Sequence, residues 1–231
     1  MPESKNILVV AAHPDDEILG AGGTMAKHCD EGDEVSVLIM GQGITSRHDG
    51  PNQGEGQSGL KEAAQKANAL LGVKTCQVLD FPDNRMDGVA LLEVVKPIEE
   101  FIARTDPRII YSHHDNDLNV DHRITAQAVF TAARPLPESG VERILSFEVP
   151  SSTEWQFSGP AFRPNWFTDI SQQLERKLEA LSCYESEMRP WPHARSVKAV
   201  EHLARWRGAA MGLEAAEAFS LGRAVEHQKL P

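Results

Sequence analysis

Five short apolar runs alternate with segments of helical periodicity, and this alternation constrains the fold more than any other feature of the chain. Ile7–Ala12, Val35–Met40, Val78–Phe81, Ile109–Ser112 and Ile144–Val149 read as strands. Glu17–Asp30, the stretch around Leu60, Ala63, Ala64, Ala67, Leu70 and Leu71, Val89–Ile102 and Ile124–Ala133 read as helices. Such an order builds a mostly parallel sheet covered by helices on both faces. Pro97 should kink the third helix or mark a restart. Gly20, Gly22 and Gly23 fall inside the first helix and do not form a dinucleotide-binding fingerprint, so close helix packing is their reading.

After the fifth strand the pattern changes. Residues 150–168 are rich in Pro, Ser and aromatics and read as a packed excursion on the substrate side. Helical stretches near 170–183 and 195–213 follow, separated by a segment holding Pro190 and Pro192. A length of 231 residues suits one domain spanning 1–231. Gly41–Gly59 carries six glycines and reads as a mobile loop beside the second strand's end.

The net charge of −11, with no basic stripe, argues against a nucleic-acid partner. No apolar run is long enough for a membrane span, and the start lacks a signal-peptide pattern, so a cytoplasmic protein is expected. Cys29, Cys76 and Cys183 form no C-x-x-C pair and read as reduced residues. His28, His48, His202 and His227 have no partner pattern and read as surface residues. No pattern speaks to oligomeric state, and a homo-oligomer is left open.

In open parallel sheets, ligands bind beyond the C-terminal ends of the strands. Two polar clusters fall there. "AHPDDE" follows strand one with His13, Asp15 and Asp16; "SHHDNDLNVDHR" follows strand four. If those strands are neighbours, His13, Asp16 and His122 form a three-ligand site for a first-row metal, with Asp15 left beside the metal's water. Against this stand capping of a helix by the aspartates and of the next helix by Asn119.

"AHPDDE", the later "VDHR", "ANALLGV" and a late "AEAF" resemble the PIG-L/LmbE-like family of zinc-dependent N-acetylglucosamine deacetylases, over most of the chain. The resemblance implies a Rossmann-like three-layer α/β/α sandwich and one Zn2+ per chain, held by His13, Asp16 and His122. It implies Asp15 as general base and Asp121 as the group orienting a neighbouring imidazole. The substrate would be a small-molecule N-acetylated amino sugar: a small saccharide, a nucleotide sugar or a glycoconjugate precursor.

One position departs from the family. Its second motif commonly reads His-Pro-Asp-His, whereas this chain has "NVDH", with Asn119 at the first position. Asn119 can donate a hydrogen bond but cannot protonate a leaving amine. His193 is the expected substitute acid, with Asp15, returning the proton it took as base, and His113 and His114 as further candidates. Arg47 in the glycine-rich loop and Trp155 or Trp191 are expected to touch the sugar. A metal-dependent phosphoesterase and an inactive, metal-stabilised binding protein are the competing readings.

Overall fold

The computed structural model describes residues 4–43 and 53–226. The first part alternates as expected: β1 (Asn6–Ala11), α1 (Asp16–Asp30), β2 (Glu34–Gly41), α2 (Gln53–Leu71), β3 (Thr75–Phe81), α3 (Leu91–Thr105), β4 (Ile109–His113), α4 (Val120–Ala132) and β5 (Arg143–Phe147). Then come β6 (Trp166–Asp169), α5 (Leu174–Ser182), α6 (Val197–Ala209) and β7 (Ala216–Ala224). The strands form one seven-stranded sheet in the order β3-β2-β1-β4-β5-β7-β6. The first five run parallel, while β7 is antiparallel to both β5 and β6.

Strand composition follows from burial on both faces. Ile7, Val9 and Ala11 of β1 pack into a core with α1, α2, α5 and α6, whereas Leu8 and Val10 face a second core with α3 and α4. A strand buried on both sides needs an apolar residue at nearly every position, which is why β1 reads as an unbroken run. The three-layer α/β/α sandwich is therefore the fold.

α1 packs closely because, at two of its three glycines, a side chain would meet a neighbour. A Cβ at Gly20 would come 2.3 Å from Phe147 Cδ2, and one at Gly23 would come 2.7 Å from Ile170 Cδ1.

Four expectations are corrected. The loop expected over Gly41–Gly59 is shortened, because α2 already begins at Gln53; residues 44–52, with Arg47 and His48, lie outside the described residues, as does His227. α3 runs through Pro97 as one helix, which rules out the restart alternative alone. The C-terminal part contains two strands besides its helices: β6 closes the 150–168 excursion, and β7 follows α6. His28 is not a free surface residue, since its ring bonds Asp33 at 2.7 Å and the Tyr111 hydroxyl at 3.0 Å.

Candidate metal centre and active site

The strand order reverses at β1, which pairs with β2 on one side and β4 on the other. A crevice opens at such a switch point beyond the strand ends. The turn after β1 supplies His13, Asp15 and Asp16 there, and the loop after β4 with the first turn of α4 supplies Asp117, Asn119, Asp121 and His122. The two His/Asp clusters meet because β1 and β4 are neighbours, Val9 standing opposite Tyr111.

Asp16 sits at the centre. Its Oδ2 lies 3.3 Å from His13 Nδ1 and 3.2 Å from His122 Nε2. Ligand atoms of His13, Asp16 and His122 all fall within 4.8 Å of one another. Asp16 Oδ1 is buried without a hydrogen-bond partner. A buried carboxylate with one oxygen orphaned and the other set between two imidazoles is costly unless a cation joins it, so this donor set fits a metal ion. Burial alone would raise the Asp16 carboxyl. The charge and hydrogen bond of His122, joined by His13, outweigh burial and hold it well below its usual value.

Each histidine is braced from behind. His13 Nε2 lies 2.9 Å from Asp121 Oδ2 and 3.2 Å from Asp83 Oδ1. Asp121 is itself fixed by backbone N–H groups, Asn84 donating to Oδ2 at 2.6 Å and Met86 to Oδ1 at 2.9 Å. His122 Nδ1 lies 3.1 Å from Asp117 Oδ1. Asp117 accepts from the Ser152 hydroxyl and, at 2.5 Å, from Thr153 Oγ1. Such carboxylates fix ring orientation and raise ligand basicity. Burial lowers both imidazoles, but these acidic neighbours prevail and raise His13 to about 10 and His122 to about 9.

Asp15 stands apart from the ligand set. Its backbone is left-handed at φ 99°, and its carboxylate accepts from Arg195 rather than meeting the two imidazoles. Burial drives its carboxyl well above the usual value, with the Arg195 guanidinium opposing that shift. A buried carboxylate raised in this way is a stronger proton acceptor. Asp15 lines a polar cavity of about 170 Å³ with His13, Asp16, Asp83, Asn84 and Arg195 among its walls.

The other anticipated residues divide. Asn119 lines the cavity and also caps α4, its Oδ1 accepting from Asp121 N at 2.8 Å; the capping reading and the site reading both apply. His193 does not line the cavity. It is exposed, its Nδ1 accepts from Arg195 N at 3.0 Å, and its ring meets the edge of Trp155. Arg195, two residues on, enters in its place. His113 is a poor acid candidate: burial holds its ring well below its usual pKa, and Ala12 N donates to its Nε2 at 2.8 Å. His114 is buried beside Phe162, outside the cavity wall. Trp155 and Trp191 are largely exposed and also absent from that wall. Arg195, Asp83, Asn84 and Glu187 line the cavity without having been anticipated. Only the carboxylates among them carried a signal, as acidic residues just beyond a strand end or a helix.

Comparisons with known proteins bear on the family and the fold. The family described as PIG-L: GlcNAc-PI de-N-acetylase matches residues 8–133. The diacetylchitobiose deacetylase of Thermococcus kodakarensis is 30% identical over 79% of this chain and 70% of its own length. The N,N'-diacetylchitobiose deacetylase of Pyrococcus horikoshii superposes with a TM-score of 0.78 at 21% identity, covering 96% of this chain and 85% of that one. The 4-carboxy-2-hydroxymuconate hydratase of Pseudomonas putida superposes with a TM-score of 0.80 at 22% identity, over 98% of this chain and 100% of that one. The family match takes in more than half of the sequence, including His13, Asp16 and His122, and the chain belongs to the PIG-L (LmbE-like) family.

Proposed function

We propose that the protein is a zinc-dependent hydrolase that removes the N-acetyl group from an N-acetylglucosaminyl compound. One observation carries the reading. His13, Asp16 and His122 converge within 4.8 Å, and the buried carboxylate of Asp15 faces the same cavity without joining them. Two nitrogens and one carboxylate oxygen are a zinc ligand set that leaves a fourth position open. When bound, the ion supplies Lewis acidity, polarising the amide carbonyl and making a water more acidic.

The chain's own residues do the rest. Asp15 takes a proton from the attacking water as oxygen adds to the acetyl carbon. The C–N bond then breaks, giving acetate and a free amine, and the amine needs a proton. His193 and His114 stand off the cavity wall, His113 has the wrong protonation for an acid, and Asn119 has no proton to give. Of these candidates among the described residues Asp15 is left as the donor, returning to the amine the proton it took from water. Asn84 and Asn119 offer amide groups to sugar hydroxyls at the cavity wall.

A two-ion phosphoesterase is disfavoured. The second group of ligand atoms, from His13, Asp83 and Asp121, uses a carboxylate whose two oxygens already accept backbone N–H bonds. The test is an acetate-release screen of the zinc-loaded protein across N-acetylglucosaminyl compounds, with metal counted per chain. Release of acetate with one ion per chain is expected. Two ions per chain with phosphate-ester cleavage would overturn the reading. So would hydration of an unsaturated carboxylic acid, the activity named for the Pseudomonas putida neighbour, without acetate release.

A further inference from the structure

We infer that Arg195 is a positioning residue that fixes the direction of the Asp15 carboxylate. This rests on the deacetylase reading above, in which Asp15 handles the proton.

Asp15 has little else to hold it. Its left-handed backbone starts α1 without a side-chain capping bond. Its N–H is fixed, donating to Glu17 Oε2 at 3.1 Å, and Glu17 in turn accepts from Asn68 and from the Tyr184 hydroxyl. That network anchors the peptide and not the carboxylate. Among the described residues, Arg195 is the one side chain bonded to the carboxylate, its Nη1 donating to Oδ2 at 3.2 Å. Without it no side chain among the described residues bonds the Asp15 carboxylate.

Arg195 is held on several sides. It precedes Ser196, the residue that caps α6 by accepting from Ala199 N at 3.1 Å. Its own carbonyl accepts from Arg189 N at 3.1 Å and its N–H bonds the His193 ring. The guanidinium bridges two segments: Nε donates to Ser151 Oγ at 3.1 Å while Nη1 reaches Asp15. Glu187 Oε2 lies 3.8 Å from the same Nη1. A planar fork donating in two directions can hold one carboxylate while staying fixed itself, which a lysine ammonium on a flexible stem cannot. The aim of Asp15 is thus set by two segments remote in sequence, the turn after β5 and the link before α6.

The test uses Arg195→Ala, Arg195→Lys and Ser151→Ala in the metal-loaded protein. Arg195→Ala is expected to keep its fold and metal content, to lose about 10²-fold in kcat, the scale of a misplaced catalytic group, and to change little in KM. Added guanidinium should restore part of the rate where sodium at the same ionic strength does not. Arg195→Lys should recover less than guanidinium does, and Ser151→Ala should lose rate by a smaller factor. A crystal structure of Arg195→Ala should show the Asp15 side chain turned from its wild-type direction. Wild-type kcat in Arg195→Ala overturns the inference. An unmoved Asp15 with a raised KM also overturns it, since Arg195 would then act on substrate directly. Should Arg195→Ala not fold, Arg195→Lys and Ser151→Ala carry the same kinetic and crystallographic readouts. Absence of acetate release by the wild type strikes at the proposed function alone, and the Asp15 direction in the variant crystals still decides this inference.

Discussion

His122 is wedged between two carboxylates, Asp16 on its Nε2 side and Asp117 on its Nδ1 side, with the His113 ring stacked 4.0 Å away. Removing it does two things. It deletes one ligand of the proposed metal site, and it leaves two buried carboxylates without the group between them, a loss of about 3–5 kcal/mol for a broken buried pair. His122→Ala should therefore lose its bound metal by elemental analysis and unfold at a lower temperature; full metal occupancy would remove His122 from the ligand set. Asn119 invites a finer test. Its Oδ1 caps α4 while its amide donates to Asn84 Oδ1 at 3.1 Å. Asn119→Ala should cost about 1 kcal/mol through the lost cap, read from denaturant unfolding, and Asn119→Asp should restore most of it. Equal stability of the alanine variant would show that the cap contributes nothing. The convergence of His13, Asp16 and His122 was legible in the sequence because two His/Asp clusters follow strands one and four at the same edge of a parallel sheet. Arg195 was not. A single arginine in a proline-flanked link has no periodicity, and only the tertiary contact with Asp15 gives it meaning.

At the scale of elements, the close approach of α1 to the sheet links packing to the site. Phe147 fills the space left by Gly20, and its ring contacts His113 edge-on at 4.7 Å. Gly20→Ala places a methyl where that ring stands. The expected cost is about 1–3 kcal/mol of overpacking, measured by denaturant unfolding, with no gain from the higher helix propensity of alanine. A stabilised variant would mean that Phe147 moves aside freely. The glycines of α1 were read correctly as packing residues because they recur inside an apolar helical pattern. Those of residues 53–59 misled, since glycine signals a loop when it stands alone in a polar stretch. The packed face that follows, with Leu60, Ala64 and Ala67 in the core, outweighs about 1 kcal/mol per glycine in helix propensity. β7 stayed hidden for a related reason. "AEAF" is made largely of helix formers, and its Glu217 is buried only because Lys177 meets it at 2.6 Å while Gly23 and Thr24 donate backbone N–H bonds to it.

Across the whole molecule, the two ends of α1 serve different purposes. Its first turn carries Asp16 into the candidate metal site. Its last turn, about 20 Å away at 1.5 Å per residue, carries His28 into a contact with Asp33 and the Tyr111 hydroxyl that ties helix to sheet. Burial lowers the His28 pKa below its ordinary 6.5, and the neighbouring Asp33 only partly offsets this. The sign of the consequence follows from proton uptake. As the pH falls through 6.5, the unfolded chain binds a proton at this ring that the folded chain resists, so acid favours unfolding. The stability His28 permits is present above that pH and is lost progressively below it. His28→Gln has no such ring proton to gain. Its unfolding free energy should therefore fall less steeply than that of the wild type from pH 6.5 downward, measured by urea unfolding at a series of pH values. Because the site groups titrate in both proteins, the difference between the two curves isolates His28. A difference that stays flat, or that shows the wild type gaining relative stability in acid, would mean that Asp33 outweighs burial and that the ring is protonated in the folded protein.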